Sequence, residues 1–531
     1  ADAVHPGYGF LAESALLART CAGAGVTFVG PDAAALERLG HKQAALALAR
    51  AHEVSTLTGT TGPTSVTEAE AFLADHGAMV IKAVAGGGGR GLRVVRPGAD
   101  VAGAHERCRS EAVAAFGDGE VYVERYLERA RHVEVQLVGD GSEVLSVGDR
   151  ECTLQRRHQK LVEVAPSPAI DGTTRAELFR AAERLATAVG YRGIGTFEFL
   201  VDADDPTCFW FIEANARLQV EHTVTEETTG LDLVQIQLLL AAGATLTDLG
   251  LGGGAPTPRG AAIEVRVNAE TITPEGNARP SIGTITELAL PAGPGVRCDT
   301  AAHTGLTIDP GFDSMLVKLV ARAGDHPSAH RRIRRALDEL RVDGVTTNRG
   351  FLSALLDHDE VAAGSITTSF VADHLAELVE VAARNEATTG RATARSASDD
   401  AGADRRPDPV EPGTTAVEAP LLGTVVSVDV AEGDLVAEGG QLLVIESMKM
   451  EHVVSAPFGA LVRRVTVSRG DPVAEGQPVV HLEPADVEDT STANIDEVDP
   501  DHIRPDLAEV LDRHEITNDR HRPDKVARRH E

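Results

Sequence analysis

The sequence predicts a mixed α/β body followed by a small all-β flattened barrel, and three observations carry that prediction. Through about residue 372, apolar strand-like runs alternate with helical ones. From about 384 to 418 the composition turns to Ala, Thr, Ser, Asp, Gly and Pro without periodicity, which predicts a flexible linker. Beyond it an internal repeat begins. Ala419-Pro420 recurs as Ala456-Pro457, Gly433-Asp434 as Gly470-Asp471, and Ile445-Glu446 as Leu482-Glu483, each 37 positions apart. Neither copy can bury a face alone, so the two pack as a pseudo-twofold barrel.

Composition bounds the possibilities. A chain of 531 residues holds two to four domains. A formal charge of -31 argues against nucleic acid, which needs basic patches. Cys21, Cys108, Cys152, Cys208 and Cys298 lie far apart with no Cys-x-x-Cys, which predicts reduced thiols and a cytoplasmic protein. No apolar run reaches membrane-spanning length and no signal pattern opens the chain, so no membrane partner is expected. The chain opens Ala1-Asp2-Ala3 without methionine, which reads as a fragment.

Taken in order, residues 1–50 read as helix (Ala12 to Ala22), short buried strand (Val26 to Val29) and a helix from Ala33 to Ala51, about half of a parallel α/β layer. Met79 to Ala83 and Leu92 to Val95 are strands flanking Gly86-Gly87-Gly88-Gly89-Arg90-Gly91. Glycine runs let backbone N–H groups wrap phosphate oxygens, and a glycine loop between strands is a hairpin lid that can close over ATP. No Gly-Lys-Ser/Thr opens a helix here, so it is not a P-loop. A plain surface hairpin is the alternative for this loop by itself. Lys82, one strand earlier, is placed to reach the phosphates.

Val121 to Leu127 and His132 to Gln136 are further strands. Gln155-Arg156-Arg157-His158-Gln159-Lys160 is a basic cluster in an acidic chain; with Lys82 it reads as a polyphosphate pocket rather than a solvated face. Gly195 to Leu200 and Phe209 to Asn215 are apolar strands, antiparallel across the turn at 202–206, and each carries one acid. A lone buried carboxylate is costly unless paired or metal-bound. Glu198, Glu213 and Asn215 therefore make a hard-oxygen site suited to Mg²⁺ (or Mn²⁺); two unrelated salt-bridged acids are the alternative. In Arg217-Leu218-Gln219-Val220-Glu221-His222 strand-like alternation puts Arg217, Gln219 and Glu221 on one side. A guanidinium and an amide there can grip a planar oxyanion such as bicarbonate, with Glu221 taking its proton. Residues 260–372 continue as strands and helices, with an amphipathic helix through Ile333, Leu337 and Leu340.

The joint between the repeat copies is Glu446-Ser447-Met448-Lys449-Met450, a hairpin tip. Only six lysines stand beside forty-four arginines, so an amine here points to acylation rather than to surface charge. Around it the segment resembles the biotinyl carrier domains, marked by Met-Lys-Met with biotin amide-linked to the lysine; Ser447 replaces their usual small apolar residue. Residues 5 to about 372 resemble the biotin carboxylases, which are ATP-grasp ligases. The resemblance implies that the family's opening strand and glycine-rich turn are absent here.

That likeness implies roles at matching positions. Lys42, Lys82, His132, Gln155, His158, Glu124, Leu127 and Gly86, Gly87, Gly88 and Gly89 would serve ATP. Lys160 would hold bicarbonate or carboxyphosphate. Arg217, Gln219 and Val220 would bind bicarbonate with Glu221 as base, and Arg297 would stabilise the biotin enolate. The implied division is 1–50 (truncated N-terminal subdomain), 51–255 (ATP-grasp), 256–372 (C-terminal subdomain), 373–415 (helix end and linker), 416–484 (carrier) and 485–531 (acidic linker and possible carboxyltransferase start).

The expected activity is ATP-dependent carboxylation of biotin on Lys449, through carboxyphosphate, as the first half-reaction of an acyl-CoA carboxylase. Expected partners are a carboxyltransferase, acyl-CoA indirectly, a biotin protein ligase and a second copy of the chain. As a random coil the linker spans roughly 30 Å, too short to hold a carboxyltransferase barrel before the carrier, which argues against pyruvate as acceptor. Another ATP-grasp ligase, or a carrier without ATP chemistry, are the rival readings.

Overall fold

The computed structural model describes residues 1–84, 91–309, 313–388, 414–421, 423–447, 450–473 and 476–485. Its centre is one eight-stranded antiparallel sheet. The order is Phe209–Asn215, Arg192–Asp202, Ala130–Asp140, Val144–Arg156, Gln159–Ala165, Ala261–Asn268, Met315–Ala323 and Val296–Thr300. The sheet spans the boundary expected at 255: Gln159–Ala165 pairs directly with Ala261–Asn268.

Each half of the sheet buries its own core. On the first, helix Gly172–Ala188, capped by Asp171, seats Leu178, Ala181 and Leu185 against Phe197, Phe199 and Phe211. Phe199 and Phe211 meet edge to face at 5.8 Å, a geometry that adds to area burial. On the second, Ile333 and Leu337 of helix His326–Glu339 join Val265, Val317 and Leu319. Full burial of each such side chain is worth about 1.5–3 kcal/mol.

Ahead of the sheet, Ala3–Val4 pairs in parallel with Thr27–Phe28. The expected helix over 33–51 is two helices, Ala33–Gly40 and Lys42–Ala51. The break is at His41, whose extended backbone and side-chain cap to the Ala44 amide start the second helix. Lys42 is thereby placed at a helix N-terminus rather than mid-helix.

Leu92–Val95, Met79–Ala83 and Val121–Arg125 form a separate three-stranded sheet. Helices Val66–His76 and Val101–Phe116 share a core with it through Phe72, Ile81, Val95, Cys108 and Val123. The hairpin expected at 79–95 is present, in antiparallel register from Met79↔Val95 to Lys82↔Leu92. Gly86, Gly87, Gly88, Gly89 and Arg90 lie outside the described residues.

Helix Leu375–Thr388 runs past position 384, where composition begins the linker, and strand Thr415–Glu418 starts before its expected end. The repeat then forms two four-stranded sheets. One is Thr415–Glu418, Pro478–Pro484, Ala460–Val465 and Leu435–Val436. The other is Met450–Ser455, Gln441–Ser447, Gly423–Val428 and Pro472–Val473. Shifting the first set by 37 positions gives the second, so each sheet takes strands from both copies, and Leu443, Ile445, Val462, Val480 and Leu482 fill the shared core. Ser447 pairs with Met450 across the hairpin; Met448 and Lys449 lie outside the described residues, as do residues 486–531.

Candidate active site

The site occupies one face of the eight-stranded sheet, and its floor is a buried ion network. Arg150, with no solvent exposure, points all five guanidinium N–H groups at acceptors: Glu134, Gln136, Thr196, Gln219 and Thr225. A buried cation is tolerable only when so completely paired. Above it Lys160 Nζ sits 2.7 Å from Glu134 Oε2, 3.1 Å from Glu198 Oε1 and 2.5 Å from Glu221 Oε1. Burial alone would lower the Lys160 pKa; the three carboxylates outweigh it and hold the amine well above its usual range. Lys160 is a fixed cation, suited to binding an anion and unsuited to act as a base.

The acids answer in kind. Burial would raise the Glu221 carboxyl, but Lys160, Arg266 and Arg150 hold it below the usual range. Arg266 Nη2 lies 3.1 Å from Glu221 Oε2 and also grips Glu163. Glu198 is likewise depressed against its burial by Lys160 and His132, whose Nε2 is 2.6 Å away. Gln155 hydrogen-bonds the other nitrogen of His132.

Glu198 and Glu213 face one another directly on adjacent antiparallel strands, and Asn215 donates to Glu198 Oε1 at 2.8 Å. Two carboxylates and an amide oxygen make an oxygen donor set of the kind magnesium takes. Lys42 Nζ lies 3.7 Å from Glu213. Lys82 pairs with Glu124 at 2.5 Å across neighbouring lid strands, so in this state both are engaged with each other. Leu127 is buried at the end of the same segment. His158, in the left-handed region at φ 64, lies in the fields of Lys82, His132 and Lys42. Desolvation by the surrounding protein, then those charges, lowers it to about 4.

Three expectations need correction. Residues 217–221 form no strand; they are an irregular turn leading into helix His222–Thr229. Gln219 and Glu221 still face the network, while Leu218, just ahead of them, enters a separate apolar cluster. Arg217 turns toward Glu13 at 2.9 Å and Asn215 at 3.0 Å. The basic run 155–160 does not act as one patch. Arg156 bonds the Gly276 carbonyl and Arg157 the Glu275 carbonyl, while Lys160 enters the carboxylates, because the chain reverses at Arg157-His158 between two paired strands. The third is the Lys82–Glu124 pair: both residues were expected to face ATP, and the structure has them engaged with each other.

Arg297 stands apart from Glu221. It bonds Glu226 at 2.7 Å and Asp299 at 2.8 Å, beside a polar cavity lined by His222, Asp232 and Arg322. The sequence reading missed Arg150, Glu134, Arg266 and Lys318. Each is a charged residue within a strand, and the cost of taking that charge out of water was the available signal.

The chain is similar to proteins of known kind along its described length. Family models match residues 1–36 (biotin carboxylase, N-terminal domain), 41–249 (carbamoyl-phosphate synthase L chain, ATP-binding domain), 264–373 (biotin carboxylase C-terminal domain) and 415–482 (biotin-requiring enzyme). Pyruvate carboxylase 1 of Caenorhabditis elegans is 45% identical over 377 residues, 70% of this chain and 32% of that protein. The chain thus spans about a third of the curated relatives it matches.

Among solved structures, the biotin carboxylase domain of the Hydrogenobacter thermophilus 2-oxoglutarate carboxylase, in complex with MgADP, ADP and bicarbonate, is 37% identical. The match covers 71% of this chain and 83% of that one, with a TM-score of 0.67. A single-chain, multi-domain long-chain acyl-CoA carboxylase matches over 100% of this chain and 47% of its own, at 40% identity and a TM-score of 0.62.

Proposed function

The chain belongs to the biotin carboxylase family, and from that premise we propose that it activates bicarbonate with ATP and passes the carbon to biotin on its own carrier segment. One observation carries the reading: Lys160 is held as a cation among Glu134, Glu198 and Glu221, and Gln219 bonds one of those carboxylates. Biotin, ATP and Mg²⁺ are the family's cofactors. When bound, Mg²⁺ neutralises phosphate charge; Glu198, Glu213 and Asn215 would hold it. Biotin supplies the ureido nitrogen that accepts carbon, and Lys449 would carry it.

The chain's own residues do the rest. Lys42 and Lys82 would meet phosphate oxygens, so Lys82 must leave Glu124 as nucleotide enters. His132, Gln155, His158, Leu127 and the loop Gly86 to Gly89 would complete that pocket. Arg217, Gln219 and the Val220 backbone would orient bicarbonate. An entering bicarbonate competes with Glu221 for Lys160. Loss of that contact raises the affinity of Glu221 for a proton at the moment bicarbonate must give one up. Arg297 would take the biotin enolate oxygen. Gathering anions onto fixed cations away from water is the electrostatic core of the chemistry.

For the acceptor we favour an acyl-CoA over pyruvate. The match to the long-chain acyl-CoA carboxylase runs through the carrier over the whole chain, whereas that to the pyruvate carboxylase covers 70% of it. A carboxyltransferase, a biotin protein ligase and a second copy are the partners this reading requires. No helix among the described residues is long and apolar enough to cross a membrane, and we place the protein in the cytoplasm.

The test is ADP release by the purified chain with free biotin, with and without bicarbonate. Bicarbonate-dependent release supports the reading. Streptavidin-reactive protein without turnover would leave only a carrier.

A further inference from the structure

Lysine is scarce in this chain, yet one lysine outside the proposed chemistry is buried in the sheet beneath it. Lys318 is 5% exposed. It lies in strand Met315–Ala323, with Arg266 as its partner on one neighbouring strand and Asp299 on the other. These three charged residues form a single rung on one face. Each end of the rung, and its middle, holds a different part of the site. Arg266 grips the Glu221 carboxylate at 3.1 Å. Lys318 Nζ donates to the Val220 carbonyl at 2.9 Å. Asp299 receives Arg297 through both carboxylate oxygens, at 2.8 and 3.0 Å, and lies 3.5 Å from Lys318 Nζ.

The Val220 contact matters because residues 217–221 have no strand neighbour to fix their backbone. The peptide plane between Val220 and Glu221 sets the direction in which the Glu221 side chain leaves the turn. A buried ammonium on its carbonyl is a strong, charge-assisted restraint. A lysine suits the place: its compact head can meet a carbonyl and a carboxylate together, while a guanidinium is longer and planar.

We propose that Lys318 is a positioning residue that fixes the Val220–Glu221 turn for bicarbonate and ties it to Arg297, so that the bicarbonate and biotin sites are held in register by one side chain. This rests on the function proposed above.

The experiment compares the unaltered chain with Lys318→Met and Lys318→Arg. It reads the KM for bicarbonate, the Kd for ATP, and biotin carboxylated per ATP cleaved with free biotin. A hydrogen bond to a charged group is worth about 1.5–3 kcal/mol, so Lys318→Met should raise the bicarbonate KM about tenfold or more. It should also lower biotin carboxylated per ATP, while the Kd for ATP moves less than about twofold, since the partners of the rung (Glu163, Glu221, Val220 and Arg297) are not among the residues assigned to nucleotide. A merely structural lysine would shift all three together or none.

If Lys318→Met does not fold, Lys318→Arg is read in its place. It keeps the charge and is expected to raise the bicarbonate KM with the ATP Kd preserved. Unchanged bicarbonate KM and coupling in a folded variant would overturn the inference and leave the function standing. An unaltered chain that never cleaves ATP in response to bicarbonate would overturn both.

Discussion

At Glu221 a single side chain meets opposing demands. As the proposed base it must be ionised, and burial opposes ionisation; Lys160, Arg266 and Arg150 together decide the matter in favour of the charge. Removing that charge while keeping the shape isolates its role. Glu221→Gln should leave ATP binding intact and lower bicarbonate-dependent turnover by about 10²–10⁴-fold, the usual worth of a general base. Turnover at the unaltered rate, measured by ADP release, would make Glu221 structural. His222 gives a second handle at this scale. Its ring is 6% exposed, and burial followed by the Lys318 charge lowers it from 6.5 to about 4. The unfolded imidazole takes its proton near 6.5 while the folded one waits until about 4, so acid favours the unfolded chain. This share of stability is intact above pH 6.5 and is lost as pH falls toward about 4. The slope of Tm against pH across that window should be shallower in His222→Gln; equal slopes would refute the assignment.

At the scale of elements, the lid depends on close backbone approach. Gly91 has φ +62, and a Cβ there would stand 2.8 Å from Ala83 Cβ on the facing strand. Gly98, in the turn just beyond the hairpin, has φ +87 but open space around it. Both substitutions to alanine incur the left-handed penalty of about 1–2 kcal/mol, but only Gly91→Ala also pushes the hairpin strands apart. Gly91→Ala should therefore raise the KM for ATP severalfold, while Gly98→Ala leaves it near the unaltered value. Equal values in the two variants would show that hairpin packing does not govern nucleotide binding. The carrier makes a parallel point about elements. Each sheet draws strands from both repeat copies, so neither copy is a folding unit, and the hairpin that ends at Ser447 and resumes at Met450 is anchored by both.

At the scale of the whole chain, a tethered carrier works by effective concentration rather than affinity. On the proposed reading its chemistry and that of the sheet are separable, since one would need Lys449 and the other would not. Lys449→Ala should abolish streptavidin-reactive labelling by a biotin ligase and leave ATP-dependent carboxylation of free biotin unchanged. Loss of both would mean that the carrier is needed to build the site. Residual labelling would place biotin elsewhere.

What the sequence determined by itself was whatever local pattern can encode. The repeat of 37 positions specified the barrel, short apolar runs specified the strands that carry Glu198 and Glu213, and the scarcity of lysine singled out Lys449 as a candidate. These signals are legible because a strand's period and a residue's chemistry do not depend on distant neighbours. Tertiary structure alone decided which charges meet. Arg156 and Lys160 sit four positions apart, yet one leaves for the Gly276 carbonyl and the other enters three carboxylates. Arg150, Arg266 and Lys318 became site residues only when strands distant in the sequence were laid side by side. The reason is energetic: a charge is stable in a sheet interior only where partners surround it, and those partners come from strands far away in the sequence, as Arg266 and Glu163, 103 positions apart, do.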